Sequence, residues 1–267
     1  MLQTTTTIHK AARPRMAAPN LVDYARTRAE FSWAIARAQS AGLPGGQGIN
    51  IAYEAIDRHV ASGLGDRLAI RWLSKRDERL DLTYGDLRRE TSRFARALES
   101  LGVVAGDRVF ALAGRVPELY VAGLGALRHR AIFSPMFSAF GPDPIKSRMN
   151  IGGARVLVTT EKLFEKKIAQ IRKEIPTLEH VILIGEDRGK PTSVPGTHDW
   201  SQLVSAQSDQ HAIEPTDPET PALLHFTSGT TGAPKGATHV HEAVVMHRLT
   251  GAWALDLHPG DVFWCTA

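Results

Sequence analysis

The sequence predicts an α/β fold with a mostly parallel sheet and helices on both faces. Three observations carry this. Short β-rich runs alternate with longer helical patterns along most of the chain. A dense run of glycines, hydroxyls and one lysine follows directly on one of the β-rich runs, where open α/β sheets place ligands. The 267 residues, 43% hydrophobic and 22% charged, hold enough apolar material for a sizeable core.

Arg67 to Leu73 reads as the first strand. Leu82-Thr83 then opens a helix in which Thr83 and Asp86, three residues apart, have the spacing of a capping box. Leu87, Phe94, Leu98 and Leu101 fall on one face of that helix, and Gly102 stands where a left-handed cap is wanted. Arg108 to Ala113 is the next strand. Pro117 begins a helix to about Arg128, because the missing proline N–H costs nothing in a first turn. Gly123-Leu124-Gly125 inside it indicates close helix packing, since the third glycine and acidic follower of a dinucleotide site are absent. Ile132-Phe133, Arg155 to Thr159 and His180 to Ile184 are further strands, with helical stretches over 142–150 and 161–173 between them. Prolines at 191, 195, 215, 218 and 221 mark a long connection over 185–220, with one short helix near Trp200. Ala222 to Phe226 is a strand, His241 to about Leu255 a helix, and Val262 to Thr266 a last strand.

Between the strand ending at Phe226 and the helix beginning at His241 lies Thr227-Ser228-Gly229-Thr230-Thr231-Gly232-Ala233-Pro234-Lys235-Gly236. Glycine lets successive backbone N–H groups turn toward an anion with no Cβ in the way. Thr227, Ser228, Thr230 and Thr231 add hydroxyl donors, and Lys235 adds a cation on a long stem that can follow charge as it moves. Phosphate is the ligand that such a donor density suits. The run is not a Walker A loop, which ends Gly-Lys-Ser/Thr and opens into a helix; here Lys235 precedes Gly236 and the chain goes on through Ala237-Thr238-His239-Val240.

Other chemistries find less support. The net charge is +4, and the segment from Asp143 to Glu174 holds eight basic against four acidic residues, so the whole excess can be placed there. Without interleaved aromatics it reads as a solvated helix face, with a site for a ligand's phosphates as the second reading; no nucleic-acid partner is expected. His239, His241 and His247 lack zincin spacing, since His241 and His247 stand about 240° apart on a helix; capping or a polar contact near the nucleotide is expected, and no metal ligand. The single cysteine, Cys265, is expected at a core position and points to a reducing, cytoplasmic setting. Apolar runs such as Val181-Ile182-Leu183-Ile184 are too short for a membrane span, and no membrane partner is expected. Residues 1–19 read as a disordered leader; their basic, hydroxylated composition also fits a transit peptide, or a true start at Met16.

The ten-residue run resembles the signature loop of the AMP-forming adenylating enzymes, the superfamily of acyl-CoA synthetases, peptide-synthetase adenylation domains and luciferases. Its flanks, Leu223-Leu224-His225-Phe226 before and His239-Val240-His241-Glu242-Ala243 and Asp261-Val262-Phe263-Trp264-Cys265-Thr266-Ala267 after, are similar to the bacterial acetyl-CoA synthetase branch. Upstream, Asn20-Leu21-Val22-Asp23-Tyr24, Phe31-Ser32-Trp33, Ala52 to His59, Leu82-Thr83-Tyr84, Gly106-Asp107-Arg108-Val109 and Pro117-Glu118-Leu119-Tyr120 resemble the same branch in order and spacing. The resemblance implies an AMP-binding portion over 20–267, part of the large amino-terminal domain of such an enzyme. It implies ATP and CoA as substrates, Mg2+ as activator and a small carboxylate, acetate first, as acyl donor. It assigns ATP phosphate binding to Thr227, Ser228, Gly229, Thr230, Thr231, Gly232, Lys235 and Gly236, with Lys235 also catalytic.

Enzymes of this kind continue with an Asp-x-Gly-Trp block, later blocks that meet adenine, Mg2+ and ribose, and a small carboxyl-terminal domain carrying a lysine of adenylation. Set against that pattern, the chain reads as an amino-terminal part of a ligase, inactive in isolation. A non-catalytic remnant or weak nucleotide-binding protein is the alternative reading.

Overall fold

The structure is a computed structural model that describes residues 17–186, 190–227 and 232–264. The chain divides into two compact units: Ser40–Val244, and a smaller one drawn from the two ends of the chain and described over 17–39 and 245–264.

In the smaller unit, α1 (Tyr24–Glu30) and α2 (Trp33–Ala38) are each started by a side-chain cap. The Asp23 carboxylate accepts from Arg26 N at 3.0 Å, and Ser32 Oγ accepts from Ile35 N at 3.2 Å. Phe31 meets Trp33 and Trp253 edge-on, at centroid distances of 5.0 and 5.9 Å. These helices escape sequence reading because they are short and α1 buries no residue.

The larger unit begins with two turns of wide helix, Tyr53–Asp57 and Val60–Leu64, followed by a hairpin of β1 (Leu68–Leu73) and β2 (Arg79–Thr83). The second strand of that hairpin was not expected. Its Leu80 and Leu82 alternate with charged Arg79 and Asp81, too short a pattern to separate from the helix that follows. That helix, α3 (Tyr84–Ser100), carries the expected capping box: Asp86 N donates to Thr83 Oγ1 at 3.1 Å and Thr83 N to the Asp86 carboxylate at 2.9 Å. Gly102 follows at φ 74°, as its position after the helix requires.

Then come β3 (Arg108–Leu112), α4 (Pro117–Arg128), β4 (Ile132–Pro135), α5 (Pro142–Gly152) and β5 (Ala154–Thr160). The stretch expected as one helix over 161–173 is broken instead into α6 (Glu161–Leu163), a wide turn at Phe164–Ile168 and a tight one at Arg172–Glu174. After β6 (His180–Ile184), the long connection contains β7 (His198–Asp199) and α7 (Trp200–Ser205), the short helix expected near Trp200. Its later part is pinned rather than loose. Arg96 donates to Gln210 O, Arg130 to Pro215 O, and Thr216 Oγ1 to Ile49 O at 2.8 Å. Finally come β8 (Pro221–Thr227) and β9 (Lys235–Val240), after which the chain enters α8 (Ala243–Trp253), most of which belongs to the smaller unit.

The seven strands of the main sheet run in the order β7-β6-β5-β3-β4-β8-β9, every neighbouring pair parallel except β8 with β9. From β3 the chain steps outward to β4 and then back across β3 to β5. With crossovers of one hand, that reversal must put the connecting helices on opposite faces. The cores agree. Val109, Ala111, Val156, Val158 and Ile182 pack with Phe94 and Leu98 of α3 and Val121 and Ala126 of α4. The alternate residues Phe110, Leu112, Leu157, Val181 and Leu183 pack with Ile145 and Met149 of α5.

The two glycines of α4 serve packing, as their context indicates. A Cβ at Gly125 would stand 2.8 Å from Phe94 Cδ1 and 2.9 Å from Thr91 O, and one at Gly123 would stand 3.0 Å from the Phe133 ring. One expectation is corrected at the end of the chain. Val262, Phe263 and Trp264 form no strand and are 93%, 63% and 78% exposed, because a strand needs a ladder partner and none pairs with them among the described residues. Cys265 and Thr266 lie outside those residues.

Candidate nucleotide phosphate site

Everything in this site hangs on β8, which runs parallel to β4 with Phe133 opposite Leu223 and is clamped where Ser134 Oγ donates to Leu224 O at 2.7 Å. Ser134 is fully buried, so this bond also satisfies a hydroxyl that burial would otherwise penalise. β8 is therefore held in the parallel part of the sheet, and Thr227 stands at its carboxyl end. The carboxyl ends of β3, β4, β5 and β6 share that edge by the parallel register.

From Thr227 the chain passes through the loop and returns as β9, pairing Thr227 with Lys235, Phe226 with Gly236 and His225 with Ala237. The loop is thus the tip of a hairpin. Thr227 and Lys235 face each other across its mouth, where paired antiparallel residues have Cα atoms about 4.5–5.5 Å apart. Lys235 is exposed. Gly232 has φ 82°, a conformation that disfavours every residue with a Cβ, and a Cβ there would meet nothing within 4 Å among the described residues. Ser228, Gly229, Thr230 and Thr231 lie outside the described residues.

Gly236 carries a packing constraint of its own, since a Cβ there would stand 3.0 Å from Leu224 Cδ1. The return strand itself was missed in the sequence. Lys235-Gly236-Ala237-Thr238-His239 is exposed throughout, so it shows none of the apolar alternation that marks a half-buried strand.

The histidines are placed differently from expectation. His241 is fully buried, its Nδ1 accepting from Ile51 N at 3.2 Å, and burial first, with the charge of Arg130 second, lowers its pKa to about 4. Capping or a polar contact near the nucleotide was expected of it. A polar contact is made, but His241 follows Val240, which pairs with Pro221 at the opposite end of β8, so roughly 20 Å of strand separates it from the loop mouth. His239 remains exposed on β9, its ring 5.6 Å from that of His225. Among the described residues no group of three or more His, Cys, Asp or Glu side chains converges as a metal cage does.

The basic segment is largely tied into the fold. Lys146 pairs with Glu174 at 2.7 Å, Arg155 with Asp107 and Glu179, Lys167 Nζ donates to Ser138 O and Phe140 O, and Arg148 lies 4.3 Å from the Phe140 ring centroid. Four of the eight cations are thus engaged within the fold.

Fold and loop together define an α/β protein with a glycine-and-hydroxyl hairpin tip at the carboxyl edge of its parallel sheet, a class suited to nucleotides. The sequence model of the family described as AMP-binding enzyme matches residues 57–267, and the chain belongs to that family. It is 38% identical over 250 residues to the acetyl-coenzyme A synthetase of Bacillus subtilis (strain 168), a match covering 93% of this chain and 42% of that protein. The acetyl-coenzyme A synthetase of Deinococcus radiodurans is 37% identical, with 84% and 36% covered. Among solved structures, a Brucella canis acyl-CoA synthetase superposes with a TM-score of 0.79 at 32% identity, covering 91% of this chain and 43% of that one. The chain therefore spans about two fifths of the length of the relatives it matches. No described helix is long and apolar enough to cross a membrane.

Proposed function

We propose that this chain supplies the ATP phosphate-handling part of an AMP-forming ligase that joins acetate, or another short carboxylate, to CoA. The observation that supports it best is the hairpin itself: Gly232 at φ 82°, with Thr227 and Lys235 facing each other at the carboxyl edge of the sheet.

In the reaction a carboxylate oxygen attacks the α-phosphorus of ATP, the bond from that phosphorus to the pyrophosphate oxygen breaks, and acyl-AMP forms. The sulfur of CoA then attacks the acyl carbon, its proton is lost and AMP departs. Negative charge grows on pyrophosphate in the first step. Lys235 neutralises it, while the hydroxyls of Thr227, Ser228, Thr230 and Thr231 and the backbone N–H groups around Gly229, Gly232 and Gly236 hold the oxygens in place. The described residues offer Mg2+ no carboxylate cage of three or more ligands, so no step is assigned to that ion; its natural ligands here are the phosphates of ATP and water. Residues 20–267 form the AMP-binding portion in this reading, with 1–19 a separate leader, and a chain with one cysteine in 267 residues suits the reducing cytoplasm.

The test is to place residues 1–267 in front of the part of the Bacillus subtilis relative that this chain does not cover and to measure acetate-dependent exchange of pyrophosphate into ATP. Exchange that needs acetate and disappears without it is expected. A folded chimera that binds ATP yet exchanges nothing with any short carboxylate would leave only the weak nucleotide-binding reading.

A further inference from the structure

At the far edge of the sheet from the loop stand two histidines that the ligase reading does not use. His180 is the first residue of β6, and His198, the first of β7, pairs in register with Ile182. Side chains two apart on a strand share a face, so His180 and His198 are diagonal neighbours on one side of the sheet. Their facing nitrogens, His180 Nδ1 and His198 Nε2, are 3.3 Å apart. The ring planes are inclined at 48° with centroids 5.4 Å apart, so the nitrogen edges, rather than the ring faces, approach.

Two imidazole nitrogens bound to one tetrahedral Zn2+, each at about 2.0–2.1 Å, stand about 3.3 Å apart. The spacing is already that of a chelate. The remaining chemistry fits as well. In the tautomer with its proton on Nε2, His180 presents the Nδ1 lone pair to His198. Moving the other ring's proton to Nδ1 frees His198 Nε2 in the same way, with no net proton released. We propose that His180 and His198 form a two-imidazole site for a divalent transition metal, Zn2+ in the first instance, with water completing the shell. A metal there staples the two-residue strand β7 to β6 and closes the excursion between them.

Zn2+ alone is the probe, titrated calorimetrically into the full chain. Other histidines contribute to the isotherm, so the reading is the difference between variants. His180→Gln and His198→Gln are each expected to remove the tightest binding event, lowering its affinity roughly 10–100-fold, the loss found even for residues that only orient a ligand. Mg2+ in tenfold excess should leave Zn2+ binding unchanged, because hard oxygen-preferring ions do not compete for imidazole. Unchanged Zn2+ affinity in both folded variants overturns the proposal, as does displacement by Mg2+. Should the variants fail to fold, crystals of the unaltered chain grown with Zn2+ decide: an anomalous peak between the two rings supports the site, and its absence there rejects it.

Discussion

β3, β5 and β6 lose Val109–Leu112, Val156–Thr159 and Val181–Ile184 to the interior, whereas β9 leaves Lys235–His239 exposed. Both regions belong to one sheet, yet different forces hold them. The central strands are fixed by apolar packing on both faces, which is non-directional and tolerates no loop chemistry. The hairpin is fixed by its backbone ladder to β8 and a few specific contacts: the Ser134 hydroxyl on Leu224, Leu224 against Gly236, and His241 on Ile51 at its far end. Segments with little buried apolar area open at low free energy, and binding loops are drawn from them. Stability and ligand chemistry should therefore separate cleanly when each region is altered.

The largest effect belongs to the core. Phe94 is fully buried, stacked on Trp200 at 4.9 Å, and closes on Gly125. Phe94→Ala should cost about 3–5 kcal/mol in urea denaturation of the chain, from lost burial and the cavity left behind. A loss below about 1 kcal/mol would mean that the face under α3 and α4 repacks freely, and the contrast with the hairpin would fail.

The hairpin should show the opposite profile. In the chimera with the Bacillus subtilis relative, Lys235→Ala is expected to raise the barrier to acetyl-AMP formation by about 2–4 kcal/mol while changing stability by less than about 0.5 kcal/mol. The loss should fall on the rate at saturating ATP more than on ATP binding, because pyrophosphate carries more charge in the transition state. Unchanged single-turnover formation of acetyl-AMP would remove Lys235 from the chemistry. Gly232→Val, which puts a β-branched residue at φ 82°, should likewise abolish exchange in protein that circular dichroism shows to be folded.

How far these regions were legible follows from the forces that make them. The capping box at Thr83 and Asp86, the proline start of α4 and the buried strands were readable because each depends on residues a few positions apart or on an apolar run. The glycine-and-hydroxyl run was readable for the same reason, being ten consecutive residues of one chemistry, and its phosphate role is the proposal made above. β9 was not, because pairing with β8 alone makes it a strand. The breaks at Phe164–Ile168 and Arg172–Glu174 were missed since nothing in the local sequence forbids a continuous helix there. His241 was misplaced for want of the hairpin. Six residues of extended chain carry it to the other end of the strand pair, where a loop would have kept it near the glycine-rich run.

That rooting contact gives a prediction of intermediate size. His241 is held neutral in the fold with a pKa of about 4, against an ordinary value of 6.5, so between those values the unfolded chain binds more protons. Stability is then full above pH 6.5, falls as the pH drops toward 4, and loses no more from this group below 4. Its share is at most about 3 kcal/mol. His211, also near 4 through burial and the charges of His129, Arg128 and Arg96, acts in the same sense. His241→Asn should flatten part of the slope between pH 6.5 and 4 in denaturation curves, and an unaltered slope would show that this histidine titrates freely.

The smallest effect sharpens the comparison from the core side, at the point where α3 is fastened over the sheet. Thr83 Oγ1 accepts from Asp86 N at 3.1 Å, and the Asp86 carboxylate accepts from Thr83 N at 2.9 Å and from its hydroxyl at 2.6 Å. These bonds lower the Asp86 pKa, with the Thr83 hydroxyl the largest cause, so the box is at full strength when the carboxylate is ionised. Thr83→Ala removes the acceptor and leaves a first-turn N–H without its partner, which should cost about 1 kcal/mol, while Thr83→Ser keeps the oxygen and should cost only a few tenths. Neither substitution touches β8, β9 or the loop, so acetate-dependent exchange in the chimera should stay at the unaltered rate. Equal stability of the alanine and serine variants would show that the cap is not what holds the start of α3. A fall in exchange in proportion to the lost stability would show instead that the core and the hairpin tip are coupled, and that the loop's order depends on the packing beneath it.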